Sequence, residues 1–125
     1  MSDEKAKILI IDDNQSSRYL YKTVLANTKE FNVILCANLY DGLKTFYKIQ
    51  PDLVVLDMDL PDGTGVDFLK DIRAKKDSTK VIVISAIKNS DVIIQSAKLG
   101  IGTYLIKPVD INKFVEKVKE FTQEK

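Results

Sequence analysis

The sequence contains no histidine and only one cysteine, and these two shortages narrow the chemistry open to it. Without imidazole the chain has no histidine general base, no histidine metal ligand and no histidine switch near neutral pH. The lone Cys36 lies in the apolar run 32–37 and cannot form an internal disulfide, so we expect a small buried hydrophobe in a reducing, cytoplasmic setting. Any catalysis must therefore use carboxylates, hydroxyls, lysines or a metal.

A large charge excess and long apolar segments are also missing. Lysine and arginine number 19 against 18 aspartates and glutamates, so the formal net charge is only +1. Nucleic-acid surfaces typically carry a basic excess, and we expect no direct nucleic-acid binding. No apolar run approaches the roughly 18 residues that span a bilayer, so we expect no membrane insertion. The length suits one hydrophobic core, and we expect residues 1–125 to form a single domain.

Apolar runs of strand length alternate with helix-period segments along the chain. The runs are nearly continuous in valine, isoleucine and leucine, which is typical of parallel strands covered by helices on both faces. We predict strands at 7–11, 32–37, 53–56, 80–85 and 103–106. Because strand and helix alternate five times, the order predicts a doubly wound α/β domain with a five-stranded parallel sheet and five helices.

Capping residues and apolar spacing locate the helices between these strands. The first, second and fifth helices have predicted N-caps at Asn14, Asn38 and Asp110. A third helix begins near Gly65, and a fourth, carrying Ile93, Ile94 and Ala97, ends at Gly100. The apolar residues predicted to face inward are Leu20 and Val24 of the first helix, Leu39, Leu43 and Phe46 of the second, Val66, Leu69 and Ile72 of the third, and Ile111, Phe114, Val115, Val118 and Phe121 of the last.

Polar side chains occupy the ends of four predicted strands. Asp12 and Asp13 follow the first strand, Asp57 follows the third, Ser85 ends the fourth and Lys107 follows the fifth. Parallel strands point their carboxyl ends at one edge of an open sheet, where ligands bind, so these side chains should converge. Crowded carboxylates repel one another unless a cation offsets their charge, and Mg²⁺ prefers oxygen ligands. The pattern predicts an acidic pocket that binds Mg²⁺, faces one lysine and brings Asp57 close enough to act as a nucleophile.

The same acidic pair also has an ordinary structural explanation. Asp12 can simply end a strand, and Asp13 can begin a helix, where acids are common because the helix N-terminus carries partial positive charge. Taken alone, the pair leaves both interpretations open. The further groups at the other strand ends favour the pocket.

These residues resemble the motifs of the receiver domains of two-component response regulators, including the single-domain chemotaxis regulator. The resemblance extends from Lys7 to about Thr122. Its motifs are Asp12-Asp13, Leu56-Asp57 with the loop 60–65, Ile84-Ser85-Ala86, and Tyr104-Leu-Ile-Lys107-Pro108. The resemblance implies a flavodoxin-like receiver topology, no output domain in residues 1–125, and a cis peptide before Pro108.

The resemblance also implies a phosphoacceptor and a metal site. Asp57 would accept the phosphoryl group. Mg²⁺ would be bound by the carboxylates of Asp13 and Asp57 and by the backbone carbonyl of Asp59, and Asp12 would reach the metal through a water molecule. Because the acceptor carboxylate is already ionised, no general base is needed, which agrees with the lack of histidine.

Further residues would bind the phosphoryl group and transmit its presence. By the resemblance, Ser85, Ala86 and Lys107 would contact phosphoryl oxygens. Ser85 and Tyr104 would form a switch, in which the hydroxyl moves toward the phosphoryl group and the aromatic ring turns into the space that is left. The surface changed would comprise the fourth helix, the last strand and the last helix.

The implied function is a phosphorylation-dependent signalling switch rather than a turnover enzyme. The phosphoryl donor would be a phosphohistidine on a sensor histidine kinase or a phosphotransfer protein, and the output would act on an unknown downstream protein. Transfer of this kind depends mainly on positioning and charge stabilisation. A homodimer formed through the last helix on phosphorylation is a further hypothesis.

Two residues are expected to tune the lifetime of the phosphorylated form. Asp59 lies two residues after Asp57, and Ile87 lies two residues after Ser85. In the receiver family both positions border the path of the hydrolytic water. We therefore expect the bulky apolar side chain of Ile87 to restrict that water and to lengthen the lifetime, whereas Asp59 could act in either direction.

Three alternative functions remain to be weighed. Asp57-Met-Asp59 after an apolar strand resembles the Asp-x-Asp of haloacid-dehalogenase-type phosphatases, although those usually carry it on the first strand of a larger chain. A flavodoxin-like cofactor binder is disfavoured because acids stand where a flavin phosphate needs amides and hydroxyls, and no P-loop or Gly-x-Gly-x-x-Gly pattern is present. A receiver-like scaffold without phosphorylation would not need the complete residue set.

Overall fold

The computed structural model describes residues 5–123, which form a central sheet covered by helices on both faces. The strands in chain order are β1 (Ala6–Ile11), β2 (Phe31–Cys36), β3 (Leu53–Leu56), β4 (Asp59–Leu60), β5 (Gly63–Thr64), β6 (Lys80–Ser85) and β7 (Thr103–Ile106). Five of them make a parallel sheet in the order β2-β1-β3-β6-β7, and β4 and β5 form a separate antiparallel pair. The predicted doubly wound α/β fold is confirmed.

Five helices connect the strands. They are α1 (Gln15–Ala26), α2 (Leu39–Ile49), α3 (Gly65–Ala74), α4 (Ser90–Leu99) and α5 (Ile111–Gln123). The predicted caps are confirmed, because the side chains of Asn14, Asn38 and Asp110 accept backbone N–H groups at 2.8, 2.8 and 3.1 Å. Each cap satisfies a donor that the first helical turn would otherwise leave unpaired.

The sheet separates two hydrophobic core layers. Alternate residues of β1 point to opposite faces, so Ile8 and Ile10 pack with α1 and α5, whereas Leu9 and Ile11 pack with α2, α3 and α4. All four are fully buried. This two-sided burial explains why the strand sequences are continuous apolar runs rather than alternating ones.

One inward-facing residue predicted for α1 is wrong. Leu20 is 44% exposed, whereas Tyr21 and Leu25 are buried. The ring of Tyr21 lies 4.9 Å from the ring of Phe114 of α5, centroid to centroid. The aromatic ring offers more area for burial than a leucine side chain, and the helix is oriented so that this ring enters the interface between α1 and α5.

The buried face of α4 also differs from its apolar pattern. Ile94 is 51% exposed and Ala97 is exposed, but Ser96 is fully buried. The Ser96 hydroxyl donates to the backbone oxygen of Val92 at 2.8 Å and contacts the sulfur of Met58 at 3.6 Å. A buried hydroxyl is tolerated when it has such partners, so a polar residue occupies a core position that apolar periodicity cannot identify.

Two smaller features complete the fold. The β4–β5 pair was not expected from the sequence, because strands of two residues are too short to show a period. Cys36 is buried and unpaired, as predicted. Within residues 5–123, no helix combines the length and the apolarity required to cross a bilayer.

Candidate functional site

The predicted site residues lie at the carboxyl ends of the parallel strands, held there by continued backbone pairing. Ile11 is opposite Leu56 in the register, so β1 and β3 end level with each other. One residue beyond the strand ends, the N–H of Asp57 donates to the oxygen of Ile11 at 2.9 Å, and the N–H of Asp12 donates to the oxygen of Cys36 at 3.1 Å. Asp12 and Asp57 therefore project side by side from neighbouring strands.

Lys107 follows β7, the edge strand of the sheet, and its side chain extends to the two carboxylates. Its backbone N–H donates to the oxygen of Ser85 at 3.0 Å, and the Lys107–Pro108 peptide is cis, as the resemblance implied. Its ammonium nitrogen lies 2.9 Å from Oδ2 of Asp12 and 3.0 Å from Oδ2 of Asp57. One cation thus bridges two carboxylates, one that follows β1 and one that follows β3.

Burial makes this bridge electrostatically important. Asp12 is 2% exposed and Asp57 is 5% exposed, while the Lys107 side chain retains 21% exposure. A buried carboxylate needs a paired charge and hydrogen bonds to offset its lost hydration. Backbone donors supply part of this, because Asn14 N–H lies 2.8 Å from Oδ1 of Asp12 and Asp59 N–H lies 3.0 Å from Oδ1 of Asp57.

The protonation equilibria of the bridge reflect both burial and charge. Burial raises the pKa of Asp12, and the hydrogen bonds from Lys107 and Asn14 only partly oppose that effect. For Lys107, burial acts to lower the pKa, but hydrogen bonds to Asp12 and Asp57 and their negative charges raise it above its usual value. Lys107 therefore remains a cation throughout the neutral pH range.

Asp13 completes an acidic cluster at this edge. Asp12, Asp13 and Asp57 each offer one carboxylate oxygen within a common 4.8 Å span, and Asp13 is the exposed member. Three hard oxygen donors at this separation, open to solvent on one side, match the preferences of a small divalent cation that keeps part of its water shell. The donor set therefore fits the predicted metal type.

Ser85 and Tyr104 meet at the backbone of Ile87. The buried Ser85 hydroxyl accepts the N–H of Ile87 at 3.2 Å, and the half-buried Tyr104 hydroxyl donates to the oxygen of Ile87 at 2.8 Å. Burial raises the pKa of Tyr104, and the neighbouring Ser85 hydroxyl opposes that rise. The two predicted switch residues are thus joined through one residue. Asp59 and Ala86 are exposed at the same end of the sheet.

Some residues that support the site were missed. Arg18, at the end of the first turn of α1, donates from Nη1 to the backbone oxygen of Asp12 at 2.8 Å. Asn14 was identified only as a helix cap, although its own N–H binds the Asp12 carboxylate. Both contacts depend on how the chain turns from β1 into α1, for which the sequence pattern offers no signal.

Comparison with known proteins agrees with this geometry. A family model described as the response regulator receiver domain matches residues 8–119. The chain belongs to this family. The receiver domain has relatives of similar length. It is 35% identical over 115 residues to Sporulation initiation phosphotransferase F of Bacillus subtilis, with 92% of each chain covered. It is 30% identical over 115 residues to Chemotaxis protein CheY of Listeria monocytogenes, with 91% of this chain and 96% of that protein covered.

Solved structures show the same fold. The CheY-like response regulator receiver domain protein from Methanospirillum hungatei superposes on this receiver domain with a TM-score of 0.90 at 26% identity, covering 97% of this chain and 96% of that one. A two-component response regulator from Clostridium difficile gives a TM-score of 0.88 at 27% identity, with 96% and 98% covered. The predicted receiver topology is therefore confirmed.

Proposed function

We propose that this receiver domain is a phosphorylation-dependent switch in which Asp57 accepts a phosphoryl group. The observation that carries the proposal is the buried Asp57 carboxylate, which is bridged by Lys107 and lies within the acidic cluster. In the transfer, an Asp57 oxygen attacks phosphorus while the P–N bond of a partner phosphohistidine breaks. The electron pair stays on the imidazole nitrogen, and the product is an acyl phosphate on Asp57.

The acidic cluster suits Mg²⁺ as the cofactor. Asp13, Asp57 and the Asp59 carbonyl would hold the ion directly, and Asp12 would act through water. When bound, the ion would offset negative charge on the phosphoryl group and the carboxylates. Lys107 would then exchange its contact with Asp57 for a phosphoryl oxygen, and the Ser85 hydroxyl and the backbone of Ala86 would contact the others.

The connection through Ile87 supports Ser85 and Tyr104 as the switch. If the Ser85 hydroxyl turns toward a phosphoryl oxygen, it gives up the Ile87 N–H that it now accepts. The segment 85–87 is then free to shift, and the Tyr104 hydroxyl moves with the Ile87 oxygen to which it donates. Phosphorylation would thereby alter the surface formed by α4, β7 and α5, which we propose binds the downstream protein.

We further propose a sensor histidine kinase or a phosphotransfer protein as the donor. Leu20, on α1, lines a groove with Pro108 and Val109 that borders Lys107, and its neighbour Tyr19 is 71% exposed. This apolar surface lies beside the proposed acceptor, where a donor protein must approach. It offers contact area that the buried carboxylates cannot provide.

The lifetime of the acyl phosphate is proposed to depend on Ile87. This side chain lines a groove of about 270 Å³ together with Met58 and Val92. Replacing it with alanine would widen the path for water, so phosphorylated Ile87→Ala should decay faster than the original protein. The Gln95→Ala variant, altered at the same groove, serves as the control, and an unchanged or slower decay of Ile87→Ala would refute the proposal.

The proposed function is tested by reaction with a small-molecule phosphodonor followed by intact mass measurement. We expect one phosphoryl group per chain in the presence of Mg²⁺ and almost none in EDTA. The label should be lost in Asp57→Asn and retained in Asp71→Asn, which alters an acid of α3 outside the cluster. Steady hydrolysis of a phosphomonoester, rather than stoichiometric labelling, would instead support the phosphatase alternative.

A further inference from the structure

The loop that follows Asp57 is a short hairpin whose base is closed tightly. Asp59 pairs with Thr64 and Leu60 pairs with Gly63 across β4 and β5. Below this pair, the N–H of Gly65 donates to the oxygen of Met58 at 3.0 Å. Pro61 and Asp62 form the turn at the tip. A pair of two-residue strands has little stability of its own, so its position depends on outside contacts.

The tip is fastened to α2 by the carboxylate of Asp62. Its Oδ1 accepts the N–H of Leu39 at 2.7 Å, and its Oδ2 accepts the N–H of Tyr40 at 2.9 Å. Hydrogen bonds from these two backbone groups lower the pKa of Asp62, so the carboxylate is ionised at neutral pH. The amides belong to the first turn of α2, where backbone donors have no partner within the helix and the helix dipole favours a negative charge.

Apolar packing reinforces this attachment. A Cβ built on Gly63 would come within 2.5 Å of Cδ2 of Leu39, so the hairpin backbone lies directly against that side chain. Leu39 in turn packs on the core layer beneath α2. The hairpin tip is therefore held to the start of α2 by two hydrogen bonds that one side chain accepts and by one close backbone approach.

The other end of the hairpin touches the proposed phosphoacceptor. The N–H of Asp59, the first residue of β4, donates to Oδ1 of Asp57 at 3.0 Å. The same residue carries the carbonyl that we propose as a metal ligand. A displacement of the hairpin tip would be carried to this residue, because only Leu60 separates Asp59 from the turn.

We propose that Asp62 is a positioning residue for phosphoryl transfer. By holding the hairpin against α2, it fixes the Asp59 N–H on the Asp57 carboxylate and fixes the Asp59 carbonyl at the cation site. This inference rests on the proposed function, since it assigns Asp62 to the same reaction. Groups that orient the ligands of a metal site typically affect affinity and activity by about 10- to 100-fold.

Asp62 also caps a helix, and a matched variant separates the two roles. Asn38 caps the same end of α2 by accepting the N–H of Asp41 at 2.8 Å, but it belongs to the segment before the helix and not to the hairpin. Asn38→Ala therefore removes a cap without releasing the hairpin. Asp62→Asn keeps one acceptor oxygen and provides a conservative variant.

The experiment compares four proteins: the original chain, Asp62→Ala, Asp62→Asn and Asn38→Ala. Measurements are the rate of labelling by a small-molecule phosphodonor, the dissociation constant for Mg²⁺ and the hydrogen exchange rate of the Asp59 amide. For Asp62→Ala we expect labelling and Mg²⁺ binding to weaken about 10-fold and the Asp59 amide to exchange faster. Asp62→Asn should lie between it and the original chain. Asn38→Ala should change each quantity by no more than about twofold, since it loses only a helix cap.

The outcomes are distinguishable. Equal effects of Asp62→Ala and Asn38→Ala would overturn the inference, because the loss of a helix cap alone would then explain them. The inference would also be overturned if Asp62→Ala matched the original chain in labelling rate, in Mg²⁺ affinity and in Asp59 amide exchange. Unfolding curves show whether a variant is folded, and if Asp62→Ala is not, Asp62→Asn decides by the same criteria. Failure of the original chain to be labelled would overturn the proposed function, whereas Asp59 exchange would still test the attachment of the hairpin.

Discussion

At the level of single residues, Lys107 explains how two buried carboxylates coexist in one site. Its ammonium group lies within 3.0 Å of an oxygen of each. Because its pKa is raised, its contribution to stability is present below the usual lysine value of 10.5 and is lost only as the pH rises through the higher native value. Lys107 therefore stays charged over the whole neutral range, and any pH dependence of stability near neutrality has to come from other groups.

Asp12 has the opposite effect on stability. The pKa of Asp12 is raised above 3.8, chiefly by burial. Between pH 3.8 and this higher native pKa, the native state keeps a proton that the unfolded chain has already released. Stability therefore falls as the pH rises from 3.8 through the native pKa and stays at the lower level above it. We predict that Asp12→Asn raises the free energy of unfolding at pH 7 by about 1 kcal/mol in EDTA, a gain typical of a single stabilising substitution, because it removes a buried negative charge.

The measurement for Asp12→Asn is urea denaturation at several pH values. The advantage over the original chain should shrink as the pH falls through the raised native pKa of Asp12 and disappear well below 3.8, where the carboxyl is protonated in both the native and the unfolded state. Asp91→Asn, which alters an exposed acid of α4, should show no such gain. A loss of stability for Asp12→Asn at pH 7 would mean that its bonds to Lys107 and Asn14 outweigh its burial.

The site residues could be predicted individually because each follows a readable strand. Asp12, Asp57 and Lys107 stand one residue beyond apolar runs, and the edge at which parallel strands end is a general rule. Arg18 and Asp62 could not be predicted in the same way. Arg18 binds the backbone oxygen of Asp12, six residues away, and Asp62 binds the backbone N–H of Leu39, 23 residues away. Every residue type offers such a backbone oxygen, and almost every type offers such an N–H, so the sequence does not identify the partner.

At the level of elements, the strands and helix caps were predictable, whereas helix orientation was less so. Asn14 and Asn38 predict the starts of α1 and α2 because capping is a local interaction. The rotation of α1 depends on which side chains fit against α5, as the Tyr21 and Phe114 rings do. The rotation of α4 depends on a buried serine with two partners. Both are tertiary effects that override local periodicity.

Arg73 links several elements at the opposite end of the sheet from Asp57. Its guanidinium donates to four backbone oxygens at 2.7 to 2.9 Å, those of Asp77, Thr79, Leu99 and Gly100. It thereby ties the end of α3 to the loops that precede β6 and β7. Arginine suits this role because its planar group offers five donors in fixed directions.

We predict that Arg73→Ala lowers the free energy of unfolding by about 2 kcal/mol, because carbonyls would lose a charged donor in a partly buried position. Arg73→Lys should recover less than half of the loss, since one ammonium cannot reach all four oxygens. Urea denaturation measures both, and Lys70→Ala, at an exposed position of α3, serves as the control. Labelling of Arg73→Lys by a phosphodonor should remain unchanged, and a slower rate would contradict the structural role.

At the level of the whole molecule, the fold brings three carboxylates together at one edge of the sheet and places one lysine beside them. Three acids come from two strand ends, and one lysine comes from a third. The sequence predicts that these groups share one edge because parallel strands point their carboxyl ends the same way. The strand order β2-β1-β3-β6-β7, which makes β1 and β3 neighbours, comes from the structure. The overall charge of +1 offered no hint of this convergence, since the acidic pocket is balanced by lysines elsewhere on the surface.

The acidic cluster should make the stability of the whole domain depend on a divalent cation. A ligand that binds only the native state adds free energy in proportion to the logarithm of its concentration, about 2.7 kcal/mol at 100 times its dissociation constant. We predict a rise of this size in Mg²⁺ and its reversal by EDTA, measured by urea denaturation at pH 7. Asp13→Asn removes the exposed carboxylate of the cluster and should abolish most of the rise, whereas Asp71→Asn should preserve it. A rise of equal size in Asp13→Asn would show that the cation binds elsewhere, and no rise in the original chain would show that Lys107 alone offsets the charge of the carboxylates.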